Sequence, residues 1–336
     1  MDPFTHGLLG AATSRAILPK PDWRLTLAGA AGGMIPDMDI FIQSIRDPLL
    51  FFEFHRHFSH SLLFIPAGGF LTGVIFWLLF KRKVPLKLLA LAATLGYATH
   101  PLLDACTSYG TMLFWPFSET RVAWDLISII DPLFTSALIV GLILTAFLKR
   151  RTPVLLALSF CFLYLAFGAY QHRQGIQSQI KLARERGQEI ERGRVMPSLG
   201  NLIVWRSVYE NRGRIYVDAF RIPAEGRSLL WVGGSLPVFH KEGISVPPES
   251  ILEKDLRRYA LFADRFLVLL PGGSISVGDA RYSDMPQGVA PIWGIRFDPD
   301  TPDRHVARLR FAPHLKRNFP FFWDMVKGSA PGSRTF

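Results

Sequence analysis

Apolar residues in this chain fall in long blocks up to about residue 170 and in short, interrupted runs after it. Four blocks have the character of membrane-spanning helices. Leu62–Phe80 is nineteen residues without a charge, and Leu86–Leu103, Leu126–Leu148 and Pro153–Tyr170 follow; a helix needs about 20 apolar residues to cross a bilayer core. Two weaker stretches, Phe4–Leu18 and Leu25–Ile42, are rich in Gly and Ala. They read as a pair of short helices, half-inserted or packed closely against the bundle. Residues 171–196 carry Gln, Arg, Glu and Lys with Ile176, Ile180 and Ala183 at helical spacing, the pattern of an amphipathic helix or stalk. The pattern then shortens to strand-like runs: Leu202–Tyr209, Arg214–Ile222, Ser228–Val232, Arg265–Leu270, Gly288–Phe297 and Val306–Phe311, punctuated by Gly and Pro.

The expected architecture is an α-helical multi-span membrane domain over residues 1–170, with four spans plus the N-terminal short-helix pair. A helical linker over 171–196 and a small, mainly-β soluble domain over 197–336 complete it. Phe319–Trp323 is aromatic enough to anchor at a membrane interface.

Charge sharpens this division. Residues 1–170 hold 13 Lys/Arg and 10 Asp/Glu, against 25 and 17 in residues 171–336. The basic surplus of the second half suits a face over anionic headgroups. It does not suit nucleic acid, because acids interleave with the bases and no recognition motif is present. The two cysteines, Cys106 and Cys161, form no CxxC, which argues against a thiolate zinc site. Met1–Ile17 lacks a basic leader region, so a cleavable signal peptide is not expected. Lys81-Arg82-Lys83 with Lys87, and Lys149-Arg150-Arg151, fall between successive spans. By the positive-inside rule both loops face the cytoplasm. His55–His60, His100, Asp104, Trp124-Asp125 and Asp131 then sit at the opposite helix ends, on the extracytoplasmic side.

These are the residues with chemistry to offer. Five of nine histidines lie in the first 100 residues, among aspartates at the ends of apolar blocks. Such groups are costly to desolvate beside hydrocarbon, and a metal ion is their most economical shared partner. His57 and His60, three apart, share a helical face, whereas His55 joins them only if the segment is irregular. His100 and Asp104, four apart, stack on one face. Asp37 and Asp39 follow a proline and suit a turn aiming both carboxylates at one ion. Imidazole with carboxylate favours zinc, manganese or iron over calcium or magnesium, and the number of donors allows one or two ions. Such a site activates water for attack on an ester or phosphoester. Asp39 or Asp125 is available as general base, or to orient a ligand histidine. Arg56, within the histidine cluster, and Arg121 either clamp an anionic group or neutralise surplus aspartate.

Together, Phe4-Thr5-His6-Gly7, Pro36-Asp37-Met38-Asp39, His55-Arg56-His57-Phe58-Ser59-His60-Ser61 and His100-Pro101-Leu102-Leu103-Asp104 resemble the motifs of the YdjM-type inner-membrane family, classed as membrane-bound metal-dependent hydrolases. The resemblance covers about residues 1–150. It implies a bacterial plasma-membrane protein with a zinc-dependent hydrolase site and the ligands His6, Asp37, Asp39, His57, His60, His100 and Asp104. A site at headgroup level suggests a lipid or lipid-linked substrate. Two other classes fit some of the pattern. A metal-ion transporter could gather ligands at helix ends, but transporters normally carry polar residues near the midplane, and here Asp131 is the only acid within an expected span. A structural or assembly protein could use the metal only to staple helices. The second half shows no such constellation: His240, His305 and His314 are scattered.

Overall fold

In the computed structural model, residues 1–18, 22–223, 228–241, 244, 246–272, 274–312 and 314–336 are described. They form two compact units. The first comprises residues 1–42, 54–169 and 199–201; the second comprises 43–53, 170–198 and 202–336.

The first unit is helical. Helices α1 (Pro3–Ile17) and α2 (Trp23–Met34) each start on an aspartate: Asp2 accepts from the Thr5 N–H and Asp22 from that of Arg24. Pro36 cannot continue an α-helix, and the chain passes into a tight 3-10 turn over Ile35–Phe41. After a short helix α3 (Leu50–Phe54), two 3-10 turns lead into α4 (Ile65–Leu79). Helices α5 (Leu86–Ala105), α6 (Pro132–Leu148) and α7 (Thr152–Glu185) follow.

Three stretches among the described residues are long and apolar enough to cross a membrane: Leu62–Leu79, Leu86–Ala105 and Thr152–Glu185. The block expected to begin at Leu126 starts later and is shorter as a helix, 17 residues. Asp131 caps it by accepting from the Leu133 and Phe134 N–H groups, and Pro132 takes the first helical position. Phe70, Leu71, Ile75, Val140, Phe147 and Phe162 all face outward and are exposed. An apolar surface of this kind requires a bilayer rather than water.

Small residues bring the helices together. A methyl group at Gly96 of α5 would overlap the Gly29 carbonyl of α2, and one at Gly10 of α1 would meet the same group. Gly69 and Gly73, one turn apart on α4, lie against Thr94 and Ala90 of α5. Leu103, Cys106, Ile127, Phe134, Leu138, Val154 and Cys161 form an apolar core beside them, in which both cysteines are free and buried.

The helical linker ends earlier than expected. Helix α7 runs unbroken to Glu185, Gly187 turns the chain at φ +65°, and Arg192–Pro197 is already a strand, β1. The polar residues of its last turns are no solvated stalk. Gln171 donates to the Leu202 and Ile222 carbonyls, Gln179 to those of Arg194 and Val208. Arg186 meets Asp218 bidentately at 2.7 and 2.8 Å.

The second unit is mainly β, with two antiparallel sheets. Strands β2 (Val204–Asn211), β3 (Arg214–Arg221), β4 (Leu229–Pro237) and β9 (Arg334–Thr335) extend from β1 in the order β1-β2-β3-β4-β9. Strands β5 (Leu267–Leu269), β6 (Ser276–Asp279), β7 (Trp293–Arg296) and β8 (Ala307–Arg310) make the other. Helix α8 (Ile251–Phe262) is capped by Ser250, and α9 (Leu315–Lys327) places Phe319 and Trp323 on its exposed face. The segment 43–53 belongs to this unit because Arg258 of α8 pairs with Asp47 at 2.9 Å and Glu53 at 2.6 Å, while Phe52 lies 4.4 Å from the Phe262 ring.

Because backbone meets backbone at Gly96, the Gly96→Ala variant is expected to lose about 1–3 kcal/mol of stability, the usual cost of overpacking. Leu71→Ala on the exposed face of α4 should stay within about 0.5 kcal/mol. Thermal unfolding of the detergent-purified chain compares the two, and equal losses would refute the close-contact account.

Candidate metal centre

Four elements of the helical unit converge on one buried point. His100 and Asp104 lie one turn apart on α5, His6 sits in the second turn of α1, Asp37 projects from the 3-10 turn after α2, and His60 ends the turn before α4. His6, His60, His100 and Asp104 are fully buried, and Asp37 is 8% exposed. Asp37, His60, His100 and Asp104 each offer a ligand atom within 4.8 Å of the others, and together they can hold a metal ion.

The tautomers support that fit. His100 Nδ1 lies 2.6 Å from the Gly33 carbonyl oxygen, which only accepts, so Nδ1 carries the proton. His60 Nδ1 lies 3.0 Å from Ser59 Oγ and 3.2 Å from Asp39 Oδ2, and the Ser59 hydroxyl itself donates to Asp39. Nδ1 is therefore the donor there too. Each neutral ring is left with a lone pair on Nε2, yet the two Nε2 atoms face each other at 2.8 Å. Asp104 Oδ2 stands 3.3 and 3.4 Å from them, and Asp37 Oδ1 3.6 and 3.5 Å. Four acceptors pointed at one another repel unless a cation lies between them. Ligand atoms around a tetrahedral ion with bonds of about 2.0–2.1 Å are spaced about 3.3 Å apart, inside the range of these separations. Asp37 Oδ2, also buried, has no hydrogen-bond partner among the described residues.

The electrostatics follow from the same contacts. Burial would raise the Asp37 carboxyl, but the adjoining His100 and His60 imidazoles hold it well below the usual carboxylate range. Asp39 is lowered in the same way by His55 and His60. Burial would lower His60, but the carboxylates of Asp104, Asp37 and Asp39 outweigh it and push the imidazole up to about 10, so that a proton on Nε2 is one cation that relieves the opposed lone pairs. Burial lowers His55. The attraction that three carboxylates exert on His60 acts on any cation at that point, a proton or a metal ion.

The remaining expected residues sit around this group in distinct ways. His6 stacks on His100 with ring centroids 3.6 Å apart and places Nε2 3.0 Å from Asp104 Oδ1. The amino group of Met1 also pairs with Asp104. Asp39 lies beside the four rather than among them: it meets His55 Nδ1 at 2.7 Å and accepts from the Arg56 N–H at 2.9 Å and Ser59 Oγ at 2.9 Å. His57 lies outside the group, with its ring against Phe54, Phe58 and Trp115. The backbone of His57 explains this: at φ −94° and ψ −125° it caps the 3-10 turn instead of continuing a helix, so the spacing that would have put His57 and His60 on one face does not hold. The same turn brings in His55, which forms a second group with Asp37 and Asp39.

Arg56 is buried, with Nε 3.0 Å from Asp104 Oδ2, Nη1 donating to Thr107 at 2.7 Å, and the guanidinium over the Tyr109 ring. This is the charge-neutralising geometry. Arg121 donates to the His55 and Gly110 carbonyls. Asp125 is buried at φ +57° between residues whose N–H groups bond to the Ala105 and Cys106 carbonyls, and it belongs to neither ligand group. In the second unit, His305 joins Asp255 at 2.9 Å and Asp47 lies near, but Arg258 already neutralises both carboxylates. Sequence reasoning could not find this trio, since its members are far apart in the chain.

The protein YfhP of Bacillus subtilis (strain 168), itself described as uncharacterized, is 30% identical over 142 residues, 39% of this chain and 42% of that protein. The chain thus matches less than half the length of this relative. No solved structure matches it. The family model for the YdjM inner membrane protein matches residues 1–175, more than half of the sequence and every element that bears the buried His/Asp group. The chain belongs to the YdjM inner membrane protein family.

Proposed function

We propose that this chain is a membrane-bound, metal-dependent hydrolase that cleaves an ester or phosphoester at the membrane surface. The observation that carries the reading is the opposed pair of Nε2 lone pairs on His60 and His100, flanked by Asp37 and Asp104. Two imidazoles and two carboxylates suit zinc, and manganese next. When bound, the ion polarises a water molecule and the group it attacks.

The chain's own residues prepare the site for that chemistry. Gly33 and Asp39 fix the His100 and His60 rings through Nδ1, so both Nε2 atoms point inward. His6 and Arg56 hold Asp104 from two sides. Tyr97 donates to the Ser59 carbonyl and ties the turn bearing His60 to α5. Among the residues of the two ligand groups, Asp37 and His55 reach the surface, with side chains 11% and 14% exposed. A substrate approaches there. His60 lies two residues before the spanning stretch Leu62–Leu79, a position that favours a lipid or lipid-linked substrate.

The basic turns between α4 and α5 and between α6 and α7 lie at the helix ends away from His60, His100 and Asp104. With those turns in the cytoplasm, the site opens on the extracytoplasmic side. At 17 residues, α6 is roughly 25 Å long, enough for a fourth crossing of a slightly thinned bilayer. One observation favours a second reading, a metal that only staples the fold: Arg56 is engaged with Asp104 and Thr107 rather than aimed at the exposed edge.

Metal analysis of the detergent-purified chain by mass spectrometry tests the proposal. The wild type should carry zinc or manganese, and His60→Ala and Asp104→Ala should lose it while the helical circular dichroism is kept. A wild type that binds no divalent ion after reloading would refute it. Hydrolysis of a phospholipid and ester panel by the loaded protein separates enzyme from staple. Arg56→Ala leaves the buried Asp104 without its guanidinium and is expected to cost about 3–5 kcal/mol of stability. Thermal unfolding measures this, and an unchanged midpoint would show that Arg56 is not neutralising that charge.

A further inference from the structure

The metal centre has a second half that its four inner ligands do not use. Asp37, Asp39 and His55 also bring one ligand atom each within 4.8 Å of one another, and Asp37 is common to both groups. The two oxygens of Asp37 are in different situations. Oδ1 faces the His60 and His100 rings at 3.6 and 3.5 Å, whereas Oδ2 is buried without a hydrogen-bond partner among the described residues. A carboxylate oxygen buried and unsatisfied is costly, and a second cation satisfies it. The same residues form the one edge of the site that reaches the surface, through Asp37 and His55.

We infer that the centre holds two divalent cations, with Asp37 bridging an inner ion on His60, His100 and Asp104 to an outer ion on Asp39 and His55. This rests on the metal-centre reading above and extends it. The outer group has two carboxylates for one imidazole, a harder donor set than the inner one, and takes manganese or zinc. Paired ions that share a carboxylate stand about 3.5–4 Å apart and clamp both the attacking and the leaving oxygen of a phosphoester. A phosphoester is among the substrates that such a pair serves, and the outer ion is the one that meets it. The Asp39 Oδ1 to His55 Nδ1 contact of 2.7 Å is the hydrogen bond that the outer ion replaces.

The test is metal stoichiometry and electron paramagnetic resonance of the full-length, detergent-purified chain, stripped and reloaded with Mn(II). The wild type should take up two ions per chain and give the spectrum of an exchange-coupled pair. His55→Ala and Asp39→Asn should each take up one ion and give an uncoupled signal. Should either variant fail to fold, the coupled wild-type spectrum decides alone. One uncoupled ion in the wild type, unchanged in His55→Ala, would overturn the second site and leave the inner one standing. No ion in the wild type would overturn both.

Discussion

Two imidazole nitrogens with lone pairs, held 2.8 Å apart in a fully buried place, are the constraint on which the helical unit depends. Neither ring can turn away. His100 is fixed by the Gly33 carbonyl and His60 by Ser59 and Asp39, so the cost of the opposed lone pairs has to be met by a cation. With three carboxylates close by and Arg56 pairing directly with only one of them, the place has a surplus of negative charge in surroundings where charge is expensive. A divalent ion removes the repulsion between the rings and the excess charge together. A proton on His60 removes only part of either.

The scaffold is built to deliver these groups with little room for adjustment. Gly29 of α2 is approached by both Gly10 of α1 and Gly96 of α5, so three helix backbones meet near one level. Gly33 adds a carbonyl to the site and lies against the His6 backbone. His6, Asp37, His100 and Asp104 thus project from elements whose spacing is set by contact of main chains rather than of flexible side chains. Proline at position 36 has a related effect: by ending α2 it turns Asp37 and Asp39 into a 3-10 segment, where they diverge. One carboxylate faces the rings, and the other fixes the turn that carries them.

Regular geometry was the part of this legible in sequence. The four-residue spacing of His100 and Asp104 holds because α5 is an unbroken helix there, even through Pro101. The apolar blocks marked the spanning stretches, and the strand-like runs from Leu202 onward fell on strands. What could not be read depended on local irregularity or on distant partners. A helical reading of residues 55–60 selects His57, but Arg56 is left-handed and the His57 backbone is non-helical, so His55 joins the aspartates and His57 stays among Phe54, Phe58 and Trp115. The capping by Asp131 shortened an apolar block that composition alone would extend to Leu126. Gln171 and Gln179 look like solvated residues until the strand carbonyls that receive them are known. Segment 43–53 joins the β unit only because Arg258, some 200 positions later, pairs with Asp47.

Arg56 decides how the enzyme and staple readings should be weighed. A guanidinium at a metal centre invites assignment as an anion clamp, but this one is enclosed by Asp104, Thr107 and the Tyr109 ring. In the proposed hydrolase, stabilisation of developing charge would then come from the cations, because Arg56 is already engaged by Asp104 and Thr107. That requirement is modest for a single buried ion serving as a staple and severe for hydrolysis of a phosphoester, whose transition state spreads charge over several oxygens. In the proposed hydrolase, catalysis would rest on the outer group of Asp37, Asp39 and His55, which reaches the surface through Asp37 and His55. A pure staple accounts for Asp39, which fixes the turn bearing His60, but not for the second oxygen of Asp37, since the four inner ligands already link the turn after α2, the turn before α4 and α5. Asp37 Oδ2, a carboxylate oxygen without a hydrogen-bond partner among the described residues, is what the outer group adds beyond the needs of a structural site, and the hydrolase reading gives it a use.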